Sequence, residues 1–69
     1  MMKKKLTYIG RDDWSRPLYR ENNGRIWVDT DPRSSYAPGL CTITDAGEPC
    51  DPMRADIKVE FYPCRDVWY

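Results

Sequence analysis

Residues Trp14 to Asp29 read WSRPLYRENNGRIWVD. Leu18-Tyr19-Arg20 and Arg25-Ile26-Trp27-Val28-Asp29 are short β-prone runs on either side of Glu21-Asn22-Asn23-Gly24. Asn and Gly accept the positive φ that hairpin turns need, so the stretch predicts an antiparallel hairpin. Pro17 lacks an amide hydrogen and suits the start or the edge of a strand. At a period of two, Ile26 and Val28 share one face, and Arg25, Trp27 and Asp29 share the other. Both faces carry apolar groups, which places this strand centrally or puts Trp27 beneath a neighbouring loop.

The segments on either side extend the same signal. Leu6-Thr7-Tyr8-Ile9 is β-prone and ends at Gly10, and Arg11-Asp12-Asp13 reads as a charged turn. Residues 56–63, DIKVEFYP, alternate most clearly, with Ile57, Val59 and Phe61 on one side and Lys58, Glu60 and Tyr62 on the other. Between these parts, Thr30 to Arg54 holds Pro32, Pro38, Pro49 and Pro52 with Gly39 and Gly47. Prolines at this density forbid a helix, and only Leu40 to Thr44 suits a brief strand. The segment reads as a long loop that crosses the sheet, caps its aromatic core and is suited to binding. The expected fold is all-β: a small antiparallel curled sheet or half-barrel of three to five strands with a long Pro-rich crossing loop, one domain over residues 1–69.

A chain of 69 residues has room for one modest core. Three Trp, five Tyr and one Phe compensate, because each ring buries a large apolar area. Trp27 and Phe61 are expected in that core. Net charge is zero, so no global field recruits nucleic acid or an anionic membrane. The charge is uneven, however. Residues 1–33 carry eight basic and five acidic side chains, while 34–69 carry three basic and six acidic. Cross-strand pairing absorbs such an asymmetry. The opening MMKKKLTYIG has the basic residues of a signal peptide without its apolar run, and the expectation is a cytoplasmic protein. Its three Lys suit a solvated strand edge that discourages aggregation.

Cys41, Cys50 and Cys64 make an odd count, and free thiols are expected in a reducing compartment. Zinc would need a fourth ligand, for which Asp45 or Asp51 could serve, but the spacing C-x8-C-x13-C matches no zinc knuckle. Asp29, Asp31 and Asp45 lack the periodicity of a calcium loop. No metal and no cofactor is expected. There is no His, which excludes a histidine base and any Ser-His or Cys-His pair. The adjacent Asp12 and Asp13 suit a solvated turn better than an acid/base pair. The chain is therefore read as non-enzymatic.

Two binding surfaces are candidates. Exposed Trp, Tyr and Arg dominate protein interfaces, which singles out Trp14, Arg16, Tyr36, Trp68 and Tyr69 together with the 30–54 loop. A terminal Trp68-Tyr69 is expected to dock on the sheet or on a partner rather than hang in water. Alternatively, Arg16, Tyr19, Arg20, Arg25, Trp27 and Arg33 interleave cations and rings as a single-stranded nucleic-acid surface does. Asp12, Asp13, Glu21, Asp29 and Asp31 oppose that reading by weakening the field. A homodimer is a further expectation, since so small a sheet has edges to pair.

The runs KKLTYIGRDDWSRPLY, VDTDPR, LCT and GEPCDP, with the ending Arg65-Asp66 before Trp68, resemble a family of short proteins from gut Firmicutes mobile elements, both conjugative elements and prophage islands. That family has no assigned activity. The resemblance implies an accessory protein of a mobile genetic element, and such proteins include inhibitors of bacterial defence systems. It transfers no catalytic, cofactor or metal residue.

Overall fold

The computed structural model describes residues 3–54 and 56–68. Among them are six strands and no helix: β1 (Lys3–Arg11), β2 (Pro17–Glu21), β3 (Ile26–Asp29), β4 (Leu40–Ile43), β5 (Pro49–Pro52) and β6 (Lys58–Tyr62). They form one open sheet in the order β5-β4-β3-β2-β1-β6. β1 to β5 pair in succession as an antiparallel meander. The chain then crosses to the far edge, where β6 lies parallel to β1.

The sheet is thus larger than the three to five strands expected, and it is mixed rather than wholly antiparallel. β4 is the brief strand read at Leu40 to Thr44, but the 30–54 segment is not otherwise one long loop, because β5 also lies inside it. Pro49 and Pro52 begin and end β5 on the outer edge of the sheet, where a missing ladder donor does little harm. What remains outside the strands is the 30–39 loop, the 44–48 turn and the start of the crossover at 53–54. The Lys run is corrected too. β1 is an interior strand flanked by β2 and β6, and Lys4 turns inward to Glu21, with Nζ donating to Oε2 at 2.8 Å.

All three short connections of the meander use one turn. Gly24 N–H donates to Glu21 O and Glu21 N–H to Arg25 O, both at 2.8 Å. Gly47 N–H and Thr44 N–H repeat the pattern with Thr44 O and Glu48 O at 2.9 Å. Gly24 (φ 92) and Gly47 (φ 83) fill the third loop position, which needs positive φ. Between β1 and β2, Ser15 N–H bonds Asp12 O at 2.9 Å and Asp12 N–H bonds Arg16 O at 3.0 Å. Here Ser15 (φ 62) occupies the glycine position.

The alternation read from the sequence holds in β3 and β6. Trp27 lies beside Tyr19 on the inner face, and Val59 and Phe61 join it from β6. Leu6, Tyr19, Trp27 and Leu40 form the core, with Tyr8, Met53, Val59 and Phe61 packed against them. Tyr19 tilts against Phe61 at 4.7 Å and against Tyr8 at 5.8 Å between ring centres.

Among the described residues no second layer of regular structure covers this face. Two straps do so: the β5–β6 crossover, which contributes Met53, and the segment after β6. Five strand spacings amount to about 24 Å in a flat sheet. The link between Pro52 and Lys58 reaches roughly 20 Å at full extension. It also spends length on a turn, with Ile57 N–H on Arg54 O at 3.2 Å. The two edges therefore bend toward each other over the inner face, where Leu40, Pro52, Met53, Ile57 and Val59 help line a 570 Å³ cleft.

Candidate functional site

β1 ends and β2 begins at the same end of the sheet, with Arg11 opposite Pro17. β3 ends and β4 begins there as well, with Asp29 opposite Leu40. β6 runs parallel to β1 and releases the chain there too. The chain also leaves β5 there, with Met53 N–H on Leu40 O at 2.8 Å. Of the irregular segments at this end, 12–16, 30–39 and 63–68 are joined to one another.

The last of these is laid across the sheet by polar bonds. The register of β1 slips between Tyr8 and Gly10, where Gly10 has φ 124. This bulge returns Arg11 to the inner side, level with Pro17. Its guanidinium grips Asp66 in a two-point pair, Nε to Oδ2 at 2.7 Å and Nη2 to Oδ1 at 2.9 Å. Tyr8 donates its hydroxyl to the same Oδ2 at 2.8 Å. Arg11 first, with Tyr8 helping, holds the Asp66 carboxyl below the ordinary range. The bond to Asp66 pushes the Tyr8 hydroxyl up. The buried Tyr19 hydroxyl accepts from Asp66 N–H at 3.0 Å and donates to Asp66 O at 3.4 Å.

Arg65 enters the 30–39 loop. It donates to Tyr36 O at 2.8 Å, Arg33 O at 3.1 Å and Asp31 O at 3.3 Å. Asp29 lies behind it, wholly buried, with Oδ1 accepting from Asp31 and Gly39 N–H at 3.0 Å each. Trp68 then bonds both other segments. Its N–H donates to Pro32 O at 2.8 Å and its indole Nε1 to Ser15 O at 2.7 Å. The terminal aromatic thus docks on the sheet end as expected for Trp68; Tyr69 lies outside the described residues.

Three large rings remain in water at this end: Trp14 at 63 % exposure, Tyr36 at 54 % and Trp68 at 46 %. Arg16 lies over the Trp14 ring at 5.0 Å and Arg33 over Tyr36 at 3.8 Å, both within cation–π range. Both arginines also hold carboxylates, Arg16 with Asp12 at 2.7 Å and Arg33 with Asp31 at 2.6 Å. Burial pushes the Asp12 carboxyl up, but the Arg16 N–H and guanidinium with the Trp14 N–H outweigh it and hold it low. Arg33 does the same for Asp31. Each cation here has an acidic partner, so the end is aromatic and close to electrically neutral.

Trp14, Arg16, Tyr36 and Trp68, singled out for protein binding, are therefore brought together. The nucleic-acid set is not. Tyr19 has no exposed surface and Trp27 only 7 %, so neither ring can stack on a base. Trp27 Nε1 is held by Glu21 Oε1 at 2.9 Å. Arg20 projects from the other face of β2, and Arg25 follows the β2–β3 turn at the opposite end from Arg16 and Arg33.

Arg65, Asp66 and Asp29 organise the end, a structural role that the sequence pattern did not show. One signal was available: Asp29 shares the face of Trp27, and an acid on a core face requires a partner. Cys41 is half-buried, and Cys50 and Cys64 are exposed; all three are free thiols. No three His, Cys, Asp or Glu among the described residues converge on a metal position. Among the described residues there is no helix long and apolar enough to cross a membrane. Comparison with protein-family models, curated proteins and solved structures returns no match.

Proposed function

We propose that this chain is a non-enzymatic binding module that docks another protein on the end built from Trp14, Arg16, Arg33, Tyr36 and Trp68. The supporting observation is that three separate segments each deliver one exposed aromatic ring to a single end. Hydrogen bonds to Pro32 O and Ser15 O pin the most distal of these rings. Large rings held rigidly lose little entropy on contact, and Trp, Tyr and Arg are the side chains that carry most interface energy. The part of the 30–54 segment that contributes is 30–39. Internal pairing of the arginines favours a partner recognised by apolar contact over a polyanion, whose capture depends on unpaired cations and displaced counterions. The resemblance of residues 4–19 and 47–52 to mobile-element proteins supports an accessory role in such an element, and in that setting the partner is a component of a host defence system.

The test compares the tagged protein with its Trp14→Ala and Trp68→Ala variants in capture from lysate, with and without nuclease. A protein that survives nuclease and moderate salt, and is lost from both variants, supports this reading. Capture of nucleic acid alone, falling steeply with salt, overturns it.

A further inference from the structure

The two edges of the sheet are unlike. β5 carries Pro49 and Pro52 on one edge, and the Asp51 N–H is turned inward to Thr42 Oγ1 at 3.0 Å. Prolines blunt an edge against further pairing. On the other edge, β6 pairs with β1 on one side and, among the described residues, has no strand on its other side. β6, KVEFY, contains no proline, and Val59 and Phe61 are only half-buried on the inner face. Lys58 lies directly opposite Lys3 of β1, a like-charge pair, and makes no ion pair among the described residues. Glu60 projects from the same outer face and is bonded to Lys3 and Tyr62.

We infer that β6 is the interface for a second copy of this chain, paired antiparallel about a two-fold axis through Val59. Side chains directly opposite in a ladder share a face, so a register that keeps the apolar faces together is centred on a residue. Centred on Glu60, two carboxylates oppose each other and Lys58 meets Tyr62. Centred on Phe61, Val59 falls against Pro63, which has no ladder donor. Centred on Val59, Lys58 of each copy meets Glu60 of the other, twice by symmetry. Val59 meets its own copy on the inner face, and Ile57 meets Phe61. This register alone gives charge complementarity outside and apolar contact inside. It also answers the Lys3–Lys58 opposition by bringing a second carboxylate to the lysine pair. The joined sheet is bounded at both ends by β5 with its prolines, so the assembly closes at two copies instead of growing.

Sedimentation equilibrium of the full chain across a concentration series tests the interface, using the parent, Lys58→Glu, Glu60→Lys and an equimolar mixture of the two variants. The parent is expected to be a dimer that dissociates on dilution. Lys58→Glu sets like charges opposite each other at both symmetric positions while relieving the Lys3–Lys58 opposition within each copy. It should weaken association by about tenfold or more, without lowering the melting temperature measured where the parent is monomeric. Mixing the two variants should restore a dimer, because each reversed charge then faces its complement. A parent that stays monomeric through the millimolar range overturns the inference. So does a Lys58→Glu variant that associates as tightly as the parent, or folded variants that do not pair on mixing. If Glu60→Lys does not fold, the Lys58→Glu comparison decides alone.

Discussion

Arg65 holds its guanidinium 3.6 Å from Oδ2 of Asp29, a carboxylate with no exposed surface. The other oxygen of Asp29 is already occupied by two backbone N–H groups, and Oδ2 has no hydrogen-bond donor. Arg65 is therefore the compensating charge for a buried anion. Its bonds to three carbonyls of the 30–39 loop join the C-terminal strap to that loop.

Removing one member of a buried pair leaves the other uncompensated, at about 3–5 kcal/mol. The whole stability of a domain this size is about 3–10 kcal/mol. Arg65→Ala is thus expected to leave the chain largely unfolded or close to it, while Arg65→Lys, which keeps the charge but not the fork of donors, should lose less. Urea unfolding followed by tryptophan fluorescence measures both. Equal midpoints for the parent and Arg65→Ala would show that Asp29 does not depend on this partner.

Ser15 sits at φ 62, where the equivalent position of the other two turns is glycine. A left-handed conformation costs an L-residue about 1–2 kcal/mol, part of which returns through the greater freedom of glycine in the unfolded chain. Ser15→Gly should therefore raise stability by up to about 1 kcal/mol, and Ser15→Val should lower it. Thermal melting reads the difference. A Gly variant less stable than the parent would mean that the serine side chain, not the backbone shape, is what the turn needs.

Acid should loosen the strap before the rest of the fold. The Asp66 carboxyl is held below its ordinary value by Arg11 and Tyr8. A depressed carboxyl contributes stability that is present above the unfolded value, about 3.9, and is lost as pH falls through the lower folded value. Titrating the parent below pH ~4 should shift the Trp68 indole N–H resonance as its bond to Ser15 O breaks. Asp66→Asn should show the loosened position already at neutral pH. An Asn variant with the parent spectrum would separate Trp68 docking from the Arg11–Asp66 pair.

Partner capture should depend on Trp14 and Trp68, each worth about 2 kcal/mol if it is an interface anchor. Arg20→Ala with Arg25→Ala should leave capture unchanged, because these residues lie away from the aromatic end. Titration of the purified partner against the variants gives the two affinities. Loss of binding on removing Arg20 and Arg25, with Trp14 dispensable, would move the interface to the sheet.

The hairpin over 14–29 was legible because its signals are local. Alternation sets the faces of β3 and β6, and Asn23-Gly24 sets the turn. The Asp45-Ala46-Gly47 turn carries the same instruction, with Gly47 three residues after Thr44 as Gly24 follows Glu21. The surrounding prolines concealed it, since Pro49 and Pro52 read as loop until the edge position of β5 is known. That lesson is general to edge strands: proline marks the rim of a sheet as readily as its absence.

Residue order along the chain thus determined the β class, the inward placement of Trp27 and Phe61, and the division of Val59 and Lys58 between opposite faces of β6. Each of these follows from a two-residue period or a turn of four residues. The tertiary structure alone decided that β6 returns beside β1, that Arg65 compensates Asp29, and that Trp14, Tyr36 and Trp68 share one end. These depend on contacts between residues far apart in the chain, and the free energy that selects them comes from closing the inner face as a whole. No local pattern carries that information, because burial and charge compensation are properties of the assembled sheet.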